Sequence, residues 1–129
     1  MKILIVEDDK WFAESILSNL AEYDSKIADS PETAIIAIDE WQPDLLLLDM
    51  MLGTKNGLTL LHELQSYVDT RQIPVIIMSA EGKRLNIDDL RKLGVVDVID
   101  KTNMTPELLF GKIKEALKCE VEHGGQATN

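Results

Sequence analysis

Apolar residues gather along the chain in five short runs, at positions 3–6, 26–28, 45–48, 73–77 and 95–99, the second weaker than the rest and the fourth interrupted by Pro74. Continuous runs of this length, without polar alternation, predict strands covered on both faces. Between the runs, apolar residues recur at helical spacing. Phe12, Ile16, Leu17 and Leu20 form one stripe, Ala34, Ile38 and Trp41 a second, and Leu60, Leu61, Leu64 and Val68 a third. The segment 85–93 is a weaker fourth, and Leu109, Ile113 and Leu117 step by four in a fifth. Ser30 before Pro31 and Thr105 before Pro106 each set a capping side chain ahead of a proline suited to the first helical position. Gly94, after Arg91, Lys92 and Leu93, predicts a helix stop. Strand and helix alternating five times predict an α/β fold, an open parallel sheet with helices on both faces.

The chain has 129 residues, enough for one hydrophobic core, expected over 1–118. Residues 119–129 end in a polar, glycine-rich stretch and are expected to form a tail or a linker stub. With 45% apolar and 28% charged residues the composition is that of a folded globular domain, which excludes disorder for most of the chain. Against 23 acidic side chains stand 13 basic ones, a net charge of −10 that repels nucleic-acid backbones and anionic membranes. Neither partner is expected. The acidity is uneven: residues 1–50 hold 12 acidic and 3 basic side chains, residues 51–129 hold 11 and 10. Apolar runs are too short for a membrane span, the start lacks the pattern of a signal peptide, and the single Cys119 cannot form an internal disulfide. A cytoplasmic protein is expected. His62, His123 and Cys119 each stand alone and are expected to be bystanders rather than metal ligands.

In an open α/β sheet, ligands bind beyond the carboxyl ends of the strands. Glu7, Asp8 and Asp9 follow the first run, Asp49 the third, Ser79 the fourth and, past Asp100, Lys101 the fifth. Asp9 is best explained as a cap for the first helix. For the others taken together, local capping and turn roles are a weaker explanation. Carboxylates about 4 Å apart repel by roughly 4 kcal/mol at an effective dielectric near 20. Glu7, Asp8 and Asp49 therefore need cations, and Lys101 supplies a single positive charge. The deficit fits a hard dication, with Mg2+ suited to one or two carboxylates, waters and a phosphate oxygen. An aspartate beside such a metal, an ammonium and a hydroxyl is arranged for nucleophilic attack on phosphorus.

At these residues the sequence resembles the receiver domain of two-component response regulators, in order and spacing over residues 1 to about 118. The matches are Ile-Leu-Ile-Val-Glu7-Asp8-Asp9, the stretch Pro43-Asp44 through Asp49-Met50-Met51-Leu52 with Gly57 beyond it, Pro74-Val75-Ile76-Ile77-Met78-Ser79-Ala80, and Asp97-Val98-Ile99-Asp100-Lys101. The resemblance implies a flavodoxin-like, doubly wound five-stranded parallel sheet in the order 2-1-3-4-5, with five helices. It implies that Asp49 is the phosphoacceptor, supplied by the phosphohistidine of a sensor histidine kinase or phosphotransfer protein. Asp8, Asp49 and the Met51 carbonyl are implied as Mg2+ ligands, with Glu7 acting through water. Ser79 is implied as the switch hydroxyl and Lys101 as the phosphate-contacting lysine. The chain would then catalyse its own phosphorylation and slow dephosphorylation without turning over other substrates. Output is implied through the fourth helix, fifth strand and fifth helix, to a downstream protein or effector domain. Lys83, Arg84, Arg91, Lys92, Lys112, Lys114 and Lys118 fall on those helices.

Three positions depart from the family pattern. Val98 stands where an aromatic ring is usual, so a ring-coupled readout does not carry over. Thr102 replaces the proline that usually follows the lysine through a cis bond; a non-proline cis bond costs about 3 kcal/mol, so a trans bond is expected. Leu52-Gly53 stands where Met-Pro is common. Val98 and Thr102 motivate an alternative, an interaction module with atypical or no phosphorylation-dependent switching. An aspartate phosphatase is disfavoured because position 7 is glutamate, and a flavin carrier because the acidic loop would repel its phosphate. Both a stand-alone receiver and a receiver excised from a longer regulator fit the sequence. Met51 and Glu81, at positions that tune hydrolysis in the family, point to an individual phosphoryl lifetime.

Overall fold

The computed structural model describes residues 1–52, 55–80 and 85–128, and their side chains except at 55 and 119–128. Its elements are β1 (Lys2–Val6), α1 (Lys10–Ser18), β2 (Asp24–Ala28), α2 (Pro31–Trp41), β3 (Leu45–Asp49), β4 (Met51–Leu52), β5 (Lys55–Asn56), α3 (Gly57–Gln65), β6 (Val75–Ser79), α4 (Ile87–Arg91), β7 (Val95–Asp100), a 3-10 turn (Lys101–Asn103) and α5 (Pro106–Thr128). Five strands form one parallel sheet in the order β2-β1-β3-β6-β7, while β4 and β5 pair as a separate small antiparallel hairpin. Counting the sheet strands alone, the order is the expected 2-1-3-4-5.

Alternation of side chains along each strand divides the core into two layers. Leu4, Val6, Leu46, Leu48, Val75, Ile77 and Val95 pack under α2, α3 and α4, with Ala34, Ile38, Leu60, Leu61, Leu64 and Leu90. Ile3, Ile5, Leu45, Leu47, Ile76, Met78 and Ile99 pack under α1 and α5, with Ala13, Ile16, Leu109 and Ile113. The central strands β1, β3 and β6 thus need apolar residues at consecutive positions. The edge strands β2 and β7 are only partly covered, so Ile27 and Val96 remain exposed.

The caps form as the sequence predicts. Asp9 accepts the Phe12 N–H at 3.2 Å, Ser30 forms a capping box with Thr33, and Thr105 accepts the Leu108 N–H at 3.1 Å. Gly94 ends the fourth helical segment at φ +88°, and a Cβ there would lie 2.8 Å from Gln65 Nε2. Three elements differ from the expected pattern. Val68 leaves the third stripe and is exposed, because α3 ends at Gln65 and the Thr70 hydroxyl turns back to donate to the Leu64 carbonyl at 2.6 Å. The fourth helix shortens to five residues, opened by the Asn86 cap and closed by the bonds of Leu93 and Gly94 to the carbonyls of Leu90 and Arg91. At the C-terminus the helical backbone runs on to Thr128 through the segment expected as a tail, each further residue adding one hydrogen bond to a helix already nucleated. Among the described residues no helix is long and apolar enough to cross a membrane.

Candidate functional site

Parallel register brings the charged residues level. Val6 pairs with Leu48, Asp49 with Met78, and Ser79 with Asp100. The residues at or just beyond these pairs, Glu7, Asp49, Ser79 and Lys101, therefore share the carboxyl edge of four adjacent strands. The loop after β1 is held by the Glu7 N–H, which donates to the Ala28 carbonyl at 2.9 Å. Beside Asp49, the backbone of Gly57 approaches so closely that a Cβ would stand 3.0 Å from the Asp49 carbonyl and 3.2 Å from that of Met50. Only glycine allows the start of α3 to sit there, and its N–H bonds the Met50 carbonyl at 2.6 Å.

Lys101 Nζ donates to Glu7 Oε1 at 2.5 Å and lies 3.3 Å from Asp49 Oδ2. Glu7, Asp49 and Ser79 are buried, whereas Asp8 is exposed. Carboxylate oxygens of Glu7, Asp8 and Asp49 all lie within 4.8 Å of one another, and among the described residues the second Glu7 oxygen, Oε2, is buried without a hydrogen-bond partner. Burial, then the hydrogen bonding and charge of Asp49, outweigh Lys101 and push the Glu7 carboxyl up to about 8. Burial works to lower the Lys101 ammonium, but hydrogen bonding and attraction to Glu7, joined by Asp49, leave it raised. Among the described residues, the Lys101 ammonium alone does not offset the cluster. A bare buried oxygen among three convergent carboxylates is the donor set of a hard cation, and the residues fit one.

The site thus unites the residues singled out from the sequence, with Asp9 standing apart as the helix cap. Met51 is exposed at the start of the β4–β5 hairpin, and its N–H donates to Asp49 Oδ1 at 3.3 Å. Gly53, Glu81, Lys83 and Arg84 lie outside the described residues, as do the side chains of Cys119 and His123. After Lys101 the chain makes a trans turn rather than a cis one, since no cis peptide occurs among the described residues. Asp100 caps that turn, accepting the Thr102 N–H at 2.9 Å and its hydroxyl at 2.7 Å. Val98, half-buried, packs against the layer under α2, α3 and α4. One residue was not legible as part of the site: Lys101 Nζ sits 4.4 Å from the centre of the Phe12 ring. Its place in the first helical stripe accounts for Phe12 as packing, and nothing in the spacing tells that the ring meets a lysine from the far end of the chain.

Comparison with known proteins agrees with this geometry. The family model described as the response regulator receiver domain matches residues 3–114. Transcriptional regulatory protein CpxR of Klebsiella pneumoniae is 36% identical over 111 residues, covering 84% of this chain and 46% of the relative. The phosphate regulon transcriptional regulatory protein PhoB of Pseudomonas aeruginosa is 31% identical over 118 residues, covering 90% and 51%. Among solved structures, a putative response regulator from Chloroflexus aurantiacus superposes with a TM-score of 0.79 at 29% identity, covering 91% of this chain and 97% of that one. The chain spans about half the length of these curated relatives. Receiver domains generally bind Mg2+ at an acidic pocket, and a cluster of three acidic residues, Glu7, Asp8 and Asp49, is present here. Fold, carboxyl-edge site and family model converge, and the chain belongs to the receiver domain family of two-component response regulators.

Proposed function

We propose that this receiver accepts a phosphoryl group on Asp49 from the phosphohistidine of a sensor kinase or phosphotransfer protein in the cytoplasm, with Mg2+ as its resident metal. The observation that carries this reading is the meeting of Asp49, Lys101 and the three-carboxylate cluster at one edge of the sheet. Asp8, Asp49 and the Met51 carbonyl would hold the metal directly, and Glu7 through water. When bound, Mg2+ offsets negative charge on the phosphoryl oxygens. In the transfer, an Asp49 carboxylate oxygen bonds to phosphorus as the phosphorus–nitrogen bond to the donor imidazole breaks, and the imidazole leaves with that electron pair and takes up a proton. Lys101 pairs with one phosphoryl oxygen and the Ser79 hydroxyl donates a hydrogen bond to another. Release reverses the acyl phosphate: water attacks phosphorus, the bond to Asp49 breaks, and carboxylate and inorganic phosphate result.

Output runs through α4, β7 and α5 to a protein partner, by way of a face that carries Arg91, Lys92, Lys112 and Lys114. Val98 favours a second reading of this output. Without a ring to rotate beside Ser79, partner binding can proceed independently of phosphorylation. The test is the intact mass after exposure to a small phosphodonor and Mg2+. One added phosphoryl group is expected in wild type and none in Asp49→Ala or in the presence of a chelator; an unmodified wild type overturns the proposal. Partner binding by Asp49→Ala that equals wild type and ignores phosphodonor would favour the second reading.

A further inference from the structure

Away from the acid site, two contiguous cavities of about 460 and about 310 Å3 open beside the C-terminal half of α2. They share Ile38, Asp39, Asp69 and Thr70, so they form one groove running between α2 and the end of α3. In a parallel α/β sheet each helix runs back against its strand, which puts the C-terminal ends of α2 and α3 at the opposite end of the sheet from Asp49. The groove is therefore remote from the phosphorylation site, and it lies off α4, β7 and α5.

The apolar walls of the groove include three of the most exposed large hydrophobics among the described residues: Ile36, Tyr67 and Val68 are 57%, 58% and 60% exposed. Single exposed apolar residues are ordinary; three around one concavity, with Ile35 and Leu64 at its floor, are a patch. Asp39, Glu40, Glu63 and Asp69 rim it, all exposed, and among the described residues no lysine, arginine or histidine lines either cavity. None of the four carboxylates forms an ion pair among the described residues. Solvation alone accounts for any one of these acids. An uncovered apolar trough fenced on its sides by four uncompensated negative charges specifies what can fill it.

We infer that this groove docks a basic amphipathic helix of a partner protein. A trough between α2 and the end of α3 with the segment that follows it accepts the apolar stripe of a partner helix, with anchors at i, i+4 and i+7. Lysines or arginines flanking that stripe then face Asp39 and Glu40 on one side and Glu63 and Asp69 on the other. Charge argues against the other occupants. Nucleic acid and anionic lipid are repelled by the rim, and a second copy of a chain with net charge −10 brings mostly carboxylates.

The probe is a displayed library of helical peptides with randomised apolar and flanking positions, selected on the wild-type protein and counter-selected on a variant carrying Ile36→Asp and Tyr67→Asp. Both substituted side chains are exposed, and the variant's thermal unfolding and Asp49 phosphorylation should match wild type. Enriched sequences should be rich in Lys and Arg beside an apolar stripe. A synthesised winner should shift amide resonances of α2 and α3, and should bind Asp39→Asn with Glu63→Gln at least about tenfold more weakly, as lost charge complementarity demands. Enrichment of neutral or acidic helices, resonance shifts confined to other elements, or equal binding to the charge-neutralised variant would overturn the inference. So would a wild-type dimer in sedimentation that Ile36→Asp dissolves, since the occupant would then be a second copy.

Discussion

At the carboxyl edge of the sheet, Glu7 and Asp49 are buried beside the Lys101 ammonium, whereas Asp39, Glu40, Glu63 and Asp69 around the groove beside α2 stand in water. The side chains are of the same kind and carry the same formal charge. What separates them is the medium. Two charges 4 Å apart interact by about 1 kcal/mol in water and by about 4 kcal/mol at the effective dielectric of a protein interior or its margin. Buried carboxylates must therefore be neutralised by a proton, a lysine or a metal, and whichever does so controls their chemistry. The groove carboxylates need nothing for stability; they act only when a cationic partner arrives.

Titration gives the largest expected contrast. With its folded value raised from 4.5 to about 8, Glu7 contributes a stability that is fully present below about pH 4.5 and is lost as pH rises through about 8. In chelator, urea unfolding of the wild type should weaken across that window relative to Glu7→Gln, which has no proton there to lose. Parallel pH profiles for the two proteins would contradict the assignment. Next in size is Lys101→Met, which leaves Glu7 and Asp49 buried without their cation and should destabilise the metal-free protein by about 2–4 kcal/mol above pH 8. Stability equal to wild type at that pH would show that Lys101 does not balance the pair.

Adding Mg2+ at ten times its dissociation constant should stabilise the wild type by about 1.4 kcal/mol. The gain should grow with pH, because the metal takes only ionised carboxylates, and should shrink in Asp8→Asn. A gain insensitive to both would place the metal elsewhere. Smallest is the response of the groove: Asp39→Asn or Glu63→Gln should move stability by no more than about 0.5 kcal/mol, as solvated surface charges do. A larger change would mean that the rim is part of the folded core's electrostatics, and the contrast between the two regions would fail.

Much of this architecture is legible along the chain because it rests on local rules. The runs at 3–6 and 45–48 are continuous since β1 and β3 are covered by helices on both faces, and Ser30, Asp9 and Thr105 cap helices through contacts only three residues long. Where the local rule competes with a turn, it fails. Val68 continues the spacing of Leu60, Leu61 and Leu64 yet leaves the helix, because Ser66 and Thr70 redirect the backbone. Val96 sits within an apolar run and is exposed, because β7 is the last strand of the sheet and Val96 is skipped where its register shifts, Val75 pairing with Val95 and Ile76 with Asp97; no rule along the chain announces either. The site residues stand out by type, each polar residue closing an apolar run.

By itself, then, the sequence determined the set of elements, their caps, the two-sided burial of the central strands and the polar residues that close the apolar runs. All of these depend on composition and periodicity over a few neighbouring positions. Tertiary structure alone decided which oxygen of Glu7 meets Lys101, 94 positions away, that Oε2 stays bare, that Phe12 lies against the same ammonium, and that Gly57 is the residue close enough to touch the Asp49 backbone. It also created the groove whose walls come from α2 on one side and from the end of α3 and the segment after it on the other, separated along the chain by β3. Strand register and helix packing set distances at the scale of an ångström, and that scale, not residue type, separates a buried carboxylate held beside a lysine from an exposed one in water.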